Sequence, residues 1–154
     1  MILRKYYYLI YFVINFAWFA MCDVSSKEPT VLIAILVRNK AHTLPYFLSL
    51  LERQDYPKKR ICLWIRSDNN VDRSIEILNK WISLEGEKYH SLNVQLNATS
   101  TRFEDERTFA DWSPRRFAHV IDLREQALDY ARQIWADFIW VREFFNFNNL
   151  FNLL

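Results

Sequence analysis

Residues able to bind an anionic ligand follow two apolar segments of the chain. Arg38 and Asn39 come directly after the run 31–37, and Asp68 comes directly after the run 61–67. If both runs are parallel strands, their carboxyl ends lie at one edge of a sheet, where open α/β sheets bind ligands. A carboxylate such as Asp68 can accept hydrogen bonds from a nucleobase or a ribose. For Asn39 the alternative is a simple turn residue.

Asp72, four residues beyond Asp68, has two interpretations. It can cap the helix predicted to follow it, or it can bind a ligand, and capping is favoured because Asp is a common N-terminal helix residue.

Arg124 belongs to a long predicted helix and falls in the middle of its apolar face on a wheel of about 100° per residue. That face consists of Phe117, Val120, Ile121, Leu128, Ala131 and Trp135. Because an arginine keeps its charge when buried, it needs a partner or an exit into a cleft. The sequence therefore leaves two possibilities for Arg124, a buried ion pair with a strand carboxylate or a contact with an anionic ligand such as a nucleotide phosphate.

Several other kinds of site are excluded or disfavoured by composition. Gly86 is the single glycine, which removes a Walker A loop and a G-x-G-x-x-G dinucleotide turn. The histidines are far apart and lack metal-ligand spacing; they are His42, His90 and His119. Cys62 lies inside an apolar run, which predicts a buried thiol.

Strands and helices alternate along the part of the chain that must position these residues. Continuous, mostly β-branched apolar runs are typical of strands covered on both faces. The predicted strands are 31–37, 61–67, 92–96 and 138–141, and the predicted helices begin near Thr43, after Asp72 and at Ser113, the last one running to about Ala136. The pattern predicts an α/β fold, an open and mostly parallel sheet with helices on both faces. Residues 97–112 are predicted to form a polar surface loop, in which Trp112 could stack on a sugar.

The N-terminus has the features of a secretion signal. Arg4 and Lys5 precede an apolar run over residues 6–21, and small residues before Cys22 suit cleavage after it. A retained membrane anchor is the alternative. Removal of Arg4 and Lys5 would take the net charge from +2 to 0, so no basic surplus indicates nucleic-acid binding. In the secretory pathway, the sequon beginning at Asn97 is a predicted glycosylation site.

Three blocks, in this order, resemble one enzyme family: "PTVLIAILVRNKAHTLPYFLSLLERQDYP", "LWIRSDNNVDRSIEIL" and "WSPRRFAHVIDLREQALDYARQIWADFIW". Together they are most similar to the procollagen galactosyltransferases of glycosyltransferase family 25, over about residues 29–141. The resemblance implies a GT-A (nucleotide-diphospho-sugar transferase) fold and transfer of galactose from UDP-galactose to hydroxylysine of collagen chains. It also implies a Mn²⁺ cofactor and the endoplasmic reticulum lumen, with no membrane contact after signal cleavage.

By motif position, the resemblance gives roles to four residues. Arg38 and Asn39 would line the nucleotide pocket, Asp68 would face the uracil or ribose, and Arg124 would reach the nucleotide from the long helix. No catalytic residue is identified in this way.

The segment after Val141 departs from the family pattern. The family places a metal-binding Asp-x-Asp motif there, whereas this chain has Arg142 and Glu143. A cation would meet one carboxylate beside a repelling charge. The expectation is therefore a signal peptide (1–22), part of a GT-A domain (23–141) and an aberrant tail (142–154), in a truncated form that is inactive and binds no metal by itself. The alternatives are a secreted, non-catalytic module that binds collagen or a cell-surface partner, and a glycosyltransferase with another donor and acceptor.

Overall fold

Four parallel strands form one sheet in the computed structural model, which describes residues 28–97, 102–108 and 110–143. The strands are β1 (Val31–Val37), β2 (Ile61–Ser67), β3 (Ser91–Leu96) and β4 (Phe138–Glu143). Their order across the sheet is β3-β2-β1-β4. Val37, the last residue of β1, pairs with Ser67, the last residue of β2. The residues that follow these two strands therefore start side by side at one edge of the sheet. The predicted signal peptide and most of the predicted tail lie outside the described residues.

Helices cover both faces of this sheet. They are α1 (Leu44–Glu52), α2 (Ser74–Glu85) and α3 (Pro114–Gln133), with short 3₁₀ turns at Lys58–Arg60 and Gly86–Lys88. Helices α1 and α2 pack on one face, and α3 packs on the other. The predicted fold class, a parallel α/β sheet between helical layers, is confirmed.

The strand side chains divide between two apolar cores, because successive residues of a strand point to opposite faces. Along β1, Ile33 and Ile35 contact the α1 and α2 side, while Leu32 and Ala34 contact the α3 side. Both sets are buried, which explains why β1 reads as an unbroken apolar run. Cys62 is buried on the α3 side as a free thiol, as predicted.

Helix α3 begins where the sequence predicts it. Ser113 is its N-cap, and the Ser113 hydroxyl oxygen accepts a hydrogen bond from the Arg116 backbone N–H at 3.2 Å. The helix ends at Gln133, before the predicted Ala136, and Trp135 follows with a left-handed φ of 53°. Within the described ranges, no helix is long and apolar enough to cross a membrane.

The predicted core face of α3 is correct only in part. Val120 and Ala131 pack toward the sheet as predicted, together with Leu123 and Ala127, whereas Phe117 is 51% exposed and Arg124 is exposed. The physical reason is that apolar residues cover a wide arc of this helix, so periodicity alone does not decide which part of the arc meets the sheet. The two alanines let the helix approach β1 and β2 closely, which turns the larger side chains outward.

Candidate functional site

Hydrogen bonds join the loop after β1 to the loop after β2. The Asn39 N–H donates to Asn70 Oδ1 at 2.8 Å, and the Val71 N–H donates to Asn39 Oδ1 at 2.7 Å. The Ala41 N–H donates to Asp72 Oδ2 at 2.8 Å. Because three bonds cross between the loops, the residues at the carboxyl ends of both strands are held in fixed relative positions.

Asn39 is both a turn residue and a lining residue. Its φ of 54° is left-handed, a conformation that asparagine tolerates better than most side chains. Its side-chain oxygen is used by Val71, but its buried Nδ2 has no hydrogen-bond partner among the described residues. The buried Asn39 amide therefore retains one unsatisfied hydrogen-bond donor.

Asp72 acts at the start of α2, which agrees with the favoured interpretation, although Arg73 occupies the N-cap position itself. Asp72 Oδ1 accepts hydrogen bonds from the Ser74 backbone N–H at 3.0 Å and from the Ser74 hydroxyl at 2.6 Å. Burial raises the pKa of Asp72, but the hydrogen bonds from Ser74 and Ala41 outweigh it and hold that pKa below its usual value. Asp72 is therefore a charged structural group rather than an open ligand-binding carboxylate.

A main cavity opens at the carboxyl edge of β1 and β2, under the first turns of α3, with a volume of about 490 Å³ that includes space open to solvent. Its polar and aromatic lining consists of Arg38, Arg66, Asp68, Trp112, Arg116 and His119. The structure thus brings together Arg38 and Asp68, which the sequence singled out. Arg124 does not line this cavity.

A second cavity, with a volume of about 510 Å³ that also includes space open to solvent, adjoins the first and shares Arg38, Trp112 and Arg116 with it. Asn39 and Lys40 add polar groups to its wall. Lys40 is only 5% exposed. Burial, together with the charge of Arg116, lowers the pKa of Lys40, and Asp72 partly offsets this effect.

A buried carboxylate organises two of the arginines. Arg38 donates two hydrogen bonds to Glu106, from Nη1 to Oε1 at 2.8 Å and from Nη2 to Oε2 at 2.7 Å. Arg116 Nη1 lies 4.0 Å from the same carboxylate, whose side chain has no exposed surface. The predicted surface loop therefore contains a buried charge, which was not predicted. Arg38 lines the cavity, its guanidinium is committed to Glu106, and its contact with a nucleotide stays a prediction.

Arg116 is better placed than Arg38 to meet an anion. Its Nη1 donates to the Asp111 backbone oxygen at 2.7 Å, and its guanidinium carbon stacks 4.2 Å from the Trp112 ring centroid. Burial and the neighbouring Arg38 lower the pKa of Arg116, while Glu106 opposes them. An arginine remains charged under these conditions. Arg116 therefore presents a fixed positive charge where the two cavities meet.

Asp68 is paired with His119 across 51 residues of sequence. His119 Nε2 lies 2.5 Å from Asp68 Oδ2, and the imidazole ring is 5.4 Å from the Phe103 ring, centroid to centroid. The hydrogen bond to Asp68 raises the pKa of His119, although burial of the ring opposes it. From the sequence, His119 was considered only as a metal ligand, so its pair with Asp68 was not predicted. The one feature that pointed to the site was the position of His119 near the start of the helix that follows the predicted loop.

The charges around the two cavities favour an anionic ligand. Four cationic side chains, Arg38, Lys40, Arg66 and Arg116, line the walls. Asp68 lies in the lining, and Glu106 and Asp72 lie behind Arg38 and Lys40. These three carboxylates leave a surplus of one positive charge with His119 neutral. A concave site with one sign of charge and low-dielectric walls concentrates ions of the opposite sign.

The Mn²⁺ ion implied by the resemblance does not find a ligand set in the described part of the chain. No group of three or more His, Cys, Asp or Glu side chains there could hold a metal ion. The carboxylates near the cavities are engaged, Glu106 with Arg38 and Asp72 with Ser74. No chemical step is therefore assigned to a metal. Arg142, where the family pattern has metal-binding residues, is exposed on β4.

The predicted glycosylation site lies at the end of β3. Asn97 is exposed, and its backbone N–H donates to the Ser67 carbonyl oxygen at 2.8 Å. The other two residues of the sequon lie outside the described residues, so glycosylation stays a prediction.

Comparison with known proteins identifies relatives over most of the chain. The family model described as "Glycosyltransferase family 25, N-terminal domain" matches residues 28–152. A glycosyltransferase 25 family member of Drosophila pseudoobscura pseudoobscura is 50% identical over 115 residues, which cover 74% of this chain and 18% of the relative. Procollagen galactosyltransferase 2 of Homo sapiens is 43% identical over 121 residues, 79% of this chain and 19% of the relative. The chain thus spans about a fifth of the length of these relatives. It belongs to glycosyltransferase family 25, and its α/β sheet has the GT-A-like fold of that family's N-terminal domain.

Proposed function

We propose that this chain binds UDP-galactose and forms the donor-binding part of a procollagen galactosyltransferase. The observation that carries the proposal is the positively charged double cavity at the carboxyl edge of β1 and β2, where Asp68 and Arg116 face common space. A nucleotide sugar combines a hydrogen-bonding nucleoside with a doubly charged diphosphate. The two kinds of group in the cavity, a carboxylate and a guanidinium, complement those two parts.

Each part of the donor has a partner of suitable chemistry. The Asp68 carboxylate accepts hydrogen bonds from ribose hydroxyls or from the uracil N–H. Arg116 receives the diphosphate, since its fork of N–H donors suits phosphate oxygens and its stacking on Trp112 limits its motion. Asn39 adds a neutral amide side chain to the wall of the second cavity. Arg124 is exposed and lines neither cavity, so nothing in the geometry supports its predicted nucleotide contact.

The reaction proposed for the whole protein is transfer of galactose from UDP-galactose to hydroxylysine of collagen. Support comes from relatives named procollagen galactosyltransferases in Homo sapiens and Mus musculus. We also propose the endoplasmic reticulum lumen as the compartment, which the predicted signal peptide (1–22) and the exposed Asn97 would suit. These proposals concern the collagen acceptor and the compartment, whereas the cavity concerns the donor alone.

Calorimetric titration of the chain with UDP-galactose, UDP and uridine tests the donor proposal. We expect Arg116→Ala to weaken UDP-galactose and UDP binding by roughly 10- to 100-fold, because a charge-assisted hydrogen bond contributes about 1.5–3 kcal/mol. Uridine binding should change little, since uridine carries no phosphate.

Arg132→Ala is the matched control for this experiment. Arg132 lies on the same helix, but it is exposed and pairs with Asp129 at 2.6 Å. Its loss should leave all three affinities unchanged. Absence of UDP-galactose binding by the unmodified chain, or an equal loss in both variants, would refute the donor proposal.

A further inference from the structure

We propose that His119 is a positioning residue for the nucleotide, holding one oxygen of Asp68 so that the other is presented to the ligand in the main cavity. The inference rests on the proposed function and deepens it. It adds a residue that acts through Asp68 and a dependence of donor binding on pH.

The geometry of the pair supports this role. His119 contacts Asp68 at Oδ2, and among the described residues no hydrogen bond reaches Oδ1. Both side chains line the main cavity. A carboxylate with both oxygens free can rotate, which costs side-chain entropy when a ligand fixes it. The bond to His119 fixes that rotation before the ligand arrives, so the free oxygen accepts a ligand hydroxyl at lower entropic cost.

The surroundings of His119 fix the ring as well as its partner. Phe103 from the preceding loop contacts one side of the imidazole, with the ring planes tilted by 53°. The charged groups that face the ring are Asp68 after β2, Arg38 after β1 and Asp122 one turn further along α3. Two carboxylates against one guanidinium favour the protonated ring, and the pKa of His119 is raised accordingly.

Two effects of His119 can be separated by choosing the ligand. In the neutral Nε2–H tautomer the ring still donates to Asp68, so positioning persists after the ring loses its charge. The proton additionally supplies a positive charge beside the cavity, which attracts phosphate. The affinity for uridine, which is uncharged, depends on the positioning of Asp68 alone, whereas the affinity for UDP-galactose depends on that positioning and on the charge of His119. Binding of an anion favours the protonated ring, so donor affinity is higher below the pKa of His119 and falls as pH rises through it.

The experiment is calorimetric titration of UDP-galactose and uridine from about pH 5.5 to about pH 8.5, the range in which histidine titrates. UDP-galactose is preferred to UDP because its diphosphate is esterified at both ends and keeps a constant charge over this range. For the unmodified chain we expect uridine affinity to be flat and UDP-galactose affinity to fall several-fold with rising pH.

Two substitutions distinguish positioning from mere packing. Gln places an amide N–H near the position of the imidazole Nε2–H, so His119→Gln should keep uridine affinity within about twofold and remove the pH dependence of UDP-galactose binding. His119→Leu removes the donor and should weaken both ligands by roughly tenfold. Arg132→Ala is again the control, because Arg132 is exposed on the same helix and pairs with Asp129, which is not among the groups that face His119. It should behave like the unmodified chain.

The outcomes separate this inference from the proposed function. If the unmodified chain binds UDP-galactose but His119→Leu binds uridine equally well, the positioning role is refuted and the donor proposal stands. Persistence of the pH dependence in His119→Gln would refute the charge role of His119. If the unmodified chain binds neither ligand, the donor proposal fails and this inference fails with it. The pair itself is checked without ligand by NMR titration, in which Asp68→Asn should lower the pKa of His119.

Discussion

The Glu106 carboxylate holds the two cavity arginines unequally. It accepts two hydrogen bonds from Arg38 and lies at longer range from Arg116. Arg38 is therefore fixed as part of the wall by a bidentate pair, whereas Arg116, which also lines both cavities, is not. The cost of burying Glu106 is offset by the bidentate geometry and by the Phe103 backbone N–H, which donates to Oε2 at 3.1 Å.

Removing the charge of Glu106 should destabilise the fold. Glu106→Gln leaves Arg38 buried without a carboxylate, and we expect a loss of about 3 kcal/mol in the free energy of unfolding, since breaking a buried ion pair is strongly destabilising. Denaturant unfolding of both proteins measures this loss. Glu104→Gln is the matched control in the same loop. Glu104 pairs with Arg115 at 2.6 Å, and both side chains are largely exposed, so its loss should be below about 1 kcal/mol. Equal losses for the two variants would contradict the structural role of Glu106.

At the scale of single residues, the sequence predicts the site residues that directly follow strands. It does not predict the site residues that the loop before α3 and the helix itself place near them. Arg38 and Asp68 are predictable because the carboxyl ends of neighbouring parallel strands share one edge. His119 and Glu106 lie 51 and 68 residues from their partners, Asp68 and Arg38. Their pairing depends on how the loop before α3 folds back, for which residue types and spacing give no rule.

At the scale of elements, the start of α3 sets the positions of Arg116 and His119. Ser113 ends the loop, and its hydroxyl oxygen accepts a hydrogen bond from the Arg116 backbone N–H. The Arg116 side chain stacks on Trp112, and His119 follows almost one turn later. The Arg115 backbone N–H is bonded to Asp105 at 3.0 Å. The first turn of the helix is thus tied to the same loop that carries Glu106, so the loop and the helix act as one unit in forming the wall.

Loss of the α3 cap should weaken this unit. Ser113→Ala removes the acceptor for Arg116, and we expect the free energy of unfolding to fall by about 1 kcal/mol, the usual cost of losing an N-cap. Thermal unfolding followed by circular dichroism measures the change. Ser83→Ala serves as the comparison, since the Ser83 hydroxyl bonds the Lys80 carbonyl oxygen inside α2 and caps nothing. A loss for Ser83→Ala as large as that for Ser113→Ala would show that the cap has no special role.

Prediction at the scale of elements succeeds where one signal dominates. The runs that form β1 and β2 are apolar on both faces, so their type and bounds follow directly from the sequence. Helix α3 was located correctly because Ser113 and Pro114 mark its start. Its orientation was predicted only in part, because apolar residues cover a wide arc of the helix. Val120 and Ala131 face the sheet as predicted, whereas Phe117 and Ile121 are exposed. Contact with the sheet selected the stripe of smaller residues.

At the scale of the whole molecule, large apolar side chains are exposed around β4. Within the described part of the chain, β4 pairs only with β1, so one edge of β4 has no strand beside it. Ile139 and Val141 pack toward α3, whereas Phe138 is 61% exposed and Trp140 is 45% exposed. An unpaired edge next to exposed apolar side chains is the usual starting point for association between chains.

A charge placed on this edge should reduce self-association. We expect Trp140→Lys to shift the chain toward monomer mass in sedimentation velocity at equal concentration, because a lysine on an edge strand repels a second copy and must be desolvated on pairing. Leu84→Lys is the control. Leu84 is 66% exposed on α2, away from β4, so a charge there should leave the mass distribution unchanged. If both variants shift the mass distribution equally, net charge rather than the β4 edge controls association. If neither variant shifts it, the exposed face of β4 does not mediate self-association in solution.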